Sequence, residues 1–214
     1  VSCQEGFDKV MRDGVDSITG LIQTGKIMKI RWNACYAAGN VLRKSSIDAN
    51  FAWKTSLVEC LIDTVRNHQN FKVRINAAYA LGCAVRRETI GDHYLDVIRV
   101  LVDSLGNTHS DEVAGEWTHM ENLRDQIILS LCQLMSLCKE TKEFVKICQV
   151  LGENCDLFES GLKLSIKRIA PEKCSPFLTA SETSENLSKG SHGSKEEVVM
   201  VNQVLKQLVL DWGL

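Results

Sequence analysis

The chain has 214 residues, 44% of them hydrophobic, and a formal net charge of −2 at pH 7. These values are typical of a folded globular protein, and no stretch reaches the about 18 uninterrupted apolar residues that favour a membrane-spanning helix. Only two prolines occur, Pro171 and Pro176, so the first 170 residues carry no strong helix breaker of that kind. Composition therefore excludes a disordered or membrane-embedded chain and permits long helices.

Cysteine usage predicts the cellular compartment. The nine cysteines are an odd number without a CxxC pair, and most lie among apolar neighbours at helical spacing. Such thiols are typical of a reduced core, whereas an oxidised extracellular framework favours even numbers at short spacing. We therefore predict an intracellular protein, cytoplasmic or nuclear. The chain starts without Met or a signal-peptide pattern, so we expect it to be cut from a longer protein.

Charge is distributed unevenly along the chain. Residues 26–87 hold eleven Lys or Arg against three acids, a local charge of +8. Residues 88–214 hold twelve basic and twenty acidic residues, which gives −8. The basic region suits an acidic partner, although a solvated helix surface would have the same composition.

In chain order, the first two predicted helices define two types that alternate afterwards. The helix over 5–23 has an apolar triplet that recurs 40 residues apart, and the helix over 28–44 has a stripe of small and apolar residues. The triplets are Ile18, Leu21 and Ile22, then Val58, Leu61 and Ile62, then Ile98, Leu101 and Val102. The stripes are Ile30, Ala34, Ala37 and Val41, then Val73, Ala77, Ala80 and Ala84.

An internal repeat relates the helices of the second type. KIRWNACYAAGNVLR at 29–43 matches KVRINAAYALGCAVR at 72–86 at eight of fifteen positions without a gap. The offset of 43 residues falls in the range of about 40–47 found for two-helix repeats. Neither helix of such a pair can bury its apolar face alone, so we expect the pairs to stack around one elongated core.

The remaining elements follow from a more divergent third copy and from the polar segment after it. An insertion of seven residues in the loop over 107–117 precedes the third copy, in which Arg124, Gln126 and Ser130 take the places of Arg74, Asn76 and Ala80. The patterns predict helices at 5–23, 28–44, 53–66, 71–87, 93–106, 119–138, 141–154, 157–169 and 196–211. We predict a solenoid of about four helix pairs over 1–170, a flexible polar loop over 171–194, and a capping helix over 195–214.

The strings KIRWNACYAAGN and KVRINAAYALG combine a β-branched residue, Arg, small residues and Gly, and they resemble the second helix of a HEAT repeat. The resemblance to this armadillo-like helical superfamily covers residues 5–138 and, more weakly, 141–169. It implies an all-α, right-handed solenoid that belongs to a large, non-enzymatic scaffold. The aspartate usual about six residues before the Arg is replaced by Gly25, His68 and Thr118. The resemblance therefore does not imply the usual Asp–Arg contacts between repeats.

Helical geometry places polar residues of the two repeat copies along one stripe beside the buried face. Asn can grip an extended peptide backbone, Tyr offers an apolar body with a polar tip, and Arg selects carboxylate or phosphate. We therefore predict a protein partner that presents an acidic or extended segment. The predicted partner-binding residues are Lys29, Arg31, Asn33, Tyr36, Asn40, Arg43, Lys72, Arg74, Asn76, Tyr79 and Arg86.

Three other interpretations of the same residues stay open at this level. The Asn and Arg side chains could hydrogen-bond to the adjacent repeat, with the terminal arginines complementing helix C-termini. The basic region over 26–87 could follow nucleic-acid phosphates, although the chain is mildly acidic overall and only 6% aromatic. The chain could also be the end of a longer solenoid that binds nothing itself.

The sequence offers no candidate residues for catalysis, a cofactor or a metal. It lacks the His-Glu pairs that hold iron in HEAT-like deoxyhypusine hydroxylases, and it has no Gly-rich phosphate loop and no GxSxG turn. The five histidines are scattered in or beside predicted loops, which favours solvated surface over ligation. We therefore predict a non-enzymatic protein without cofactors and without a membrane partner.

Overall fold

The computed structural model describes residues 3–44, 53–106, 117–189 and 196–212, and all the regular secondary structure in these ranges is helical. The predicted all-α class is therefore confirmed. None of the helices in these ranges is long and apolar enough to span a membrane. The helices are α1 (Cys3–Thr24), α2 (Met28–Leu42), α3 (Trp53–Asn67), α4 (Phe71–Gly82), α5 (Arg87–Ile90), α6 (Tyr94–Gly106), α7 (Trp117–Ser136), α8 (Thr141–Glu153), α9 (Cys155–Ile166), α10 (Ser175–Lys189) and α11 (Glu196–Trp212), with 3-10 turns at Gly91–His93 and Pro171–Lys173.

The chain forms two compact units, Val1–Val97 and Ile98–Leu214, and the boundary falls inside α6. In the first unit, α1 packs on α2 and α3 packs on α4. Helices of the same type also stack, because α1 contacts α3 and α2 contacts α4. The predicted alternation of two helix types is thus a packing pattern in this unit, with each helix touching its sequence neighbour and its counterpart in the next pair.

A glycine in the sequence explains how closely α2 and α4 pack in the first unit. A Cβ atom placed on Gly39 would lie 3.1 Å from both Ala80 Cα and Cys83 Sγ, so only glycine fits without a shift. The buried face of α2 is formed by Ala34, Cys35, Ala38 and Leu42. The predicted stripe is confirmed only at Ala34, because Ala37 and Val41 are half-buried and Ile30 is 38% exposed.

Helix α4 ends at Gly82, five residues before the predicted end at 87. After this point the chain turns, and Cys83, Ala84 and Ile90 are all buried. Burial of these apolar side chains offsets the helical hydrogen bonds that a longer α4 would have made. Arg86 therefore precedes the short helix α5 and does not lie on α4, so its predicted place in line with Tyr79 is wrong.

In the second unit, α7 repeats the burial pattern of α4 residue by residue from its fifth position. Residues 121–131 are buried, half-buried and exposed in the same order as residues 71–81. Arg124 is 8% exposed, as Arg74 is 7% exposed in the first unit. The predicted register of the third repeat copy, with its seven-residue insertion, is therefore consistent with the structure.

Helix α10 occupies most of the segment over 171–194 that we predicted to be a flexible polar loop. The prediction is wrong for Ser175–Lys189, which is helical and packs on α7 and α11. Residues 190–195 lie outside the described ranges. The helix buries Phe177, Ala180 and Ser184, a stripe at three- and four-residue steps that the high Ser and Thr content concealed.

The fourth helix pair also differs from the predicted pairing of 141–154 with 157–169. Helix α8 packs mainly on α11, whereas α9 packs mainly on α7 and runs antiparallel to it. Arg168 and Ser165 hold the end of α9, because Arg168 bonds Glu121 at 2.6 Å and Asp125 at 2.9 Å, and Ser165 donates to Asp125 at 2.7 Å. Helix α11 buries an apolar stripe at three- and four-residue steps, formed by Val198, Val201, Leu205 and Leu208.

The substitution Gly39→Leu should lower the free energy of unfolding by about 1–3 kcal/mol, because the new side chain must push α4 away from α2. The matched control is Gly14→Leu in α1, where a Cβ would meet nothing within 4 Å. Helix propensity alone should make the control neutral or slightly stabilising. Urea unfolding measures both, and equal effects would show that Gly39 is not a packing requirement.

Phe177→Ala should cost about 3–5 kcal/mol, the range for removing a buried aromatic side chain, because Phe177 is 1% exposed in α10. The exposed neighbour Thr179→Ala is the control and should change stability by less than about 0.5 kcal/mol. Amide hydrogen exchange over 175–189 gives an independent measurement. Exchange at the unprotected rate in the wild-type protein would contradict a packed α10.

Candidate functional site

The two repeat helices α2 and α4 lie side by side and run parallel, since Tyr36 faces Tyr79 and Gly39 faces Ala80 and Cys83. Their polar residues form one surface, which we call the α2–α4 row. Its members are exposed or half-exposed and consist of Lys29, Asn33, Tyr36, Asn40 and Arg43 from α2 and its C-terminal cap, and Lys72, Asn76 and Tyr79 from α4.

Two stacked tyrosines form the centre of the row. The ring centroids of Tyr36 and Tyr79 are 5.6 Å apart and their planes differ by 2°. Tyr36 is 49% exposed, so one face of the pair is open to a ligand. Stacking of this kind is offset, and it holds the rings in fixed orientations at little entropic cost.

Arg43 binds one end of the tyrosine pair. Its Nη2 donates to the Tyr79 hydroxyl and lies 3.2 Å from Cys83 Sγ, which ties the C-terminal cap of α2 to α4. These two contacts raise the pKa of Arg43 above its ordinary value. Burial raises the pKa of Tyr79, so the phenol stays protonated at neutral pH. Arg43 remains exposed and can bond a carboxylate with its other nitrogen atoms.

A second cation–aromatic contact lies nearer the N-terminal end of the row. The Lys72 ammonium is 5.3 Å from the Trp32 ring centroid, a separation at which the ring face attracts a cation. Sequence analysis did not include Trp32 among the candidate residues. The sequence gives no direct signal for this contact, because Trp32 aligns with Ile75 and Lys72 with Lys29 in the two copies, and only the packing of α2 on α4 brings the two side chains together. Asn76 donates to the Lys72 carbonyl at 2.7 Å, while Asn33 and Asn40 are exposed.

Arg31 and Arg74 do not belong to the row. Arg74 is 7% exposed, and its Nε donates to the Val65 carbonyl at 2.9 Å. Arg31 is half-buried, and its Nε donates to the Gly25 carbonyl at 2.6 Å. Both arginines thus hold the chain segment that precedes their own helix. In this position a partner cannot reach the guanidinium of Arg74, so its prediction as a directly partner-binding residue is wrong.

The charged residues in the two segments that carry the row are all positive. The segments 26–44 and 70–87 contain nine Lys or Arg and no Asp or Glu. Neighbouring helices of the first unit carry the acids, for example Asp8 in α1, which pairs with Arg12 at 3.2 Å. A surface of this charge attracts anionic groups over distances up to about 8–10 Å at physiological salt.

The remaining candidate groups are thiols and a groove. Burial raises the pKa of Cys35 and Cys148 to about 12, so these thiols are protonated and unreactive near neutral pH. Within the described ranges no group of three or more His, Cys, Asp or Glu is placed to hold a metal ion. A cavity of about 460 Å³ lies between α9 and α11, with Leu162, Ile166 and Leu208 in its lining.

Comparisons with known proteins show similarity without a family assignment. No family profile matches the chain. An uncharacterised protein of Dictyostelium discoideum is 31% identical over 131 residues, which cover 55% of this chain and 9% of that protein. The chain therefore spans about a tenth of that relative's length. A computationally designed, self-assembling cyclic homooligomer aligns over 98% of this chain and 95% of its own, with 11% identity and a TM-score of 0.37.

Alanine substitutions should separate the two classes of arginine. Arg74→Ala should lower the free energy of unfolding by about 1–3 kcal/mol, because it leaves a cavity and removes the donor to the Val65 carbonyl. Arg43→Ala should cost less than about 1 kcal/mol, as expected for an exposed charged contact. Thermal and urea unfolding of both variants measure the difference. If Arg43→Ala lowered the free energy of unfolding as much as Arg74→Ala, Arg43 would be a structural residue and the row would lose its support as a binding surface.

Proposed function

We propose that this chain is part of a right-handed solenoid of HEAT-type helix pairs and acts as a non-catalytic, intracellular protein-interaction scaffold. In this proposal the α2–α4 row lies on the concave side and holds an acidic or extended segment of a partner protein. The observation that carries the proposal is the Tyr36–Tyr79 stack with Arg43 at its end, on a surface without acidic residues.

The chemistry of the row suits an extended segment with carboxylates. Asn33 and Asn40 lie two turns apart on the same side of α2, and each exposed amide offers a donor and an acceptor to a peptide backbone. The tyrosine pair offers an apolar platform beside them, and aromatic anchors of this kind dominate the energetics of many interfaces. Arg43 and Lys29 at opposite ends of α2 would pair with acidic side chains.

The rigidity of the α2–α4 row also supports a role in binding a partner segment. The row is built on two helices whose separation is set by backbone contact at Gly39, and the rings are stacked before any ligand arrives. A preorganised surface loses little conformational entropy on binding, so more of the contact energy remains as affinity. The repeat itself also multiplies the contacts, because equivalent residues recur from one pair to the next.

A labelled peptide of Glu-Pro repeats tests the proposal, because such repeats are both acidic and extended. We expect the full chain to bind it, measured by fluorescence anisotropy at fixed ionic strength. The double variant Tyr36→Ala with Arg43→Ala should weaken binding by about tenfold or more, the loss expected for removing an aromatic anchor and a charge-assisted bond. Arg12→Ala on α1 is the charge-matched control and should bind as the wild type does.

Binding of two other ligands, a Lys-Pro peptide and a single-stranded oligonucleotide, tests the alternative interpretations of the row. A Lys-Pro peptide should not bind, since the row repels it. A single-stranded oligonucleotide should bind more weakly than the Glu-Pro peptide. Tighter oligonucleotide binding with a steep fall of affinity in salt would identify a nucleic-acid surface and overturn the proposal. Equal binding by Arg12→Ala and by the double variant, both reduced, would show that total charge and not the row is responsible.

A further inference from the structure

The turns that precede α2 and α4 concentrate positive charge at two helix N-termini. Residues 25–31 and 64–74 contain six Lys or Arg and one His, and no Asp or Glu. Helix N-termini carry a partial positive charge and favour anions, so cations in the first turns are electrostatically unfavourable there. The residue that caps the N-terminus of α2 is Ile27, and its side chain makes no capping hydrogen bond.

Three side chains form the centre of this cluster. Arg31 Nη1 lies 3.2 Å from His68 Nε2, and the backbone N–H of Asn70 donates to His68 Nδ1 at 3.0 Å. A neutral imidazole can accept a hydrogen bond at only one of its two ring nitrogens, so one of these two donors faces the N–H of the ring itself. The cluster therefore holds more N–H donors than the imidazole can accept from, and an oxyanion beside Arg31 and His68 would accept from the surplus N–H groups.

Arg74 is a second, independent sign that the positive charge of this cluster lacks a counter-charge among the described residues. The side chain is 93% buried, as its 7% exposure shows, and within the described residues its Nη2 has no hydrogen-bond partner. Burial lowers the pKa of Arg74. Arg74 Nε donates to the carbonyl of Val65, three residues before His68. Burial first, and then the charges of Arg31 and Arg74, lower the pKa of His68. A buried, incompletely paired guanidinium is costly unless a counter-charge is close.

We propose that Arg31 and His68, with the field of Arg74 and the N-termini of α2 and α4, form a binding site for a doubly charged oxyanion, the phosphate monoester group of a phosphorylated protein segment. The positive groups lie on three neighbouring parts of the chain, with Arg31 in the first turn of α2, His68 in the turn before α4 and Arg74 in α4 itself, which suits a dianion better than a single carboxylate. Lys26 in the turn before α2 and Arg66 in the last turn of α3 are both exposed and would steer the anion to the site. Arg31 and His68 are not members of the α2–α4 row, although Lys29 and Lys72 of the row add to the positive charge near the site.

The proposal is tested on the full chain with inorganic phosphate as the probe and the imidazole signals of the histidines as the readout in NMR spectra. We expect His68 to respond saturably to phosphate and its lowered pKa to rise, because a bound dianion stabilises the imidazolium form. His93, which has Glu59 and Asp96 at 3.5 Å, is an internal control in the same spectra and should not respond. Chloride at equal ionic strength should leave both unchanged.

Two other anions identify the source of the ligand. Acetate represents a carboxylate side chain, and dimethyl phosphate represents a nucleic-acid backbone with a single charge. Both should bind at least about tenfold more weakly than phosphate, the loss expected for one charge-assisted hydrogen bond. Equal binding by dimethyl phosphate or by acetate would overturn the assignment to a phosphate monoester. An equal response of His68 and His93 to phosphate would show that the site does not exist.

Variants complete the test. Arg31→Gln should abolish the phosphate response of His68, but the loss of its bond to Gly25 could also unfold the turn, so Lys26→Gln provides a second measurement. Lys26 is exposed, and its removal should weaken phosphate binding by about two- to fivefold through lost charge. Arg12→Gln on α1 is the charge-matched control. Unchanged phosphate affinity in Lys26→Gln and in a folded Arg31→Gln would refute the site.

Discussion

The close approach of α2 and α4 at Gly39 is the contact on which the surface of the first unit depends. With no side chain at this position, Ala80 and Cys83 come within van der Waals distance of the α2 backbone. The same spacing brings Tyr36 onto Tyr79 and lets Arg43 reach Cys83. A wider separation would split the stack and leave two unconnected helices, each with its own polar residues. The geometry of the α2–α4 row therefore depends on the presence of glycine at position 39.

The arginines on α2 and α4 have different roles because they lie at different positions along these helices. Arg31 and Arg74 reach back to carbonyl groups at Gly25 and Val65 and hold the preceding turn in place. Arg43 lies at the other end of α2 and faces outward. Among the described residues neither Arg31 nor Arg74 forms an ion pair with an acidic side chain, and the residues six places before them are Gly25 and His68. The absence of acidic partners leaves the N-terminal edge of both helices with an excess of positive charge.

The second unit shows how a polar composition can conceal a packed helix. Helix α10 has few apolar residues, yet Phe177 and Ala180 lie one turn apart and are fully buried against neighbouring helices. Helix α9 instead runs antiparallel to α7 and is held there by Arg168. A segment of this composition has too little apolar area to fold alone, and it is stabilised only because α7 and α11 provide the remaining surface.

Periodicity and the internal repeat by themselves determined the all-helical class, the bounds of most helices within a few residues, and the register of α2, α4 and α7, because all three follow from local spacing of apolar residues. The sequence also identified eight residues of the row, since helical geometry places them on one side. Tertiary packing alone decided which arginines are buried, where α4 ends, and that α10 is ordered. These outcomes depend on which surfaces meet, such as Arg74 with the end of α3, and no local pattern encodes the distance between segments that are brought together by folding.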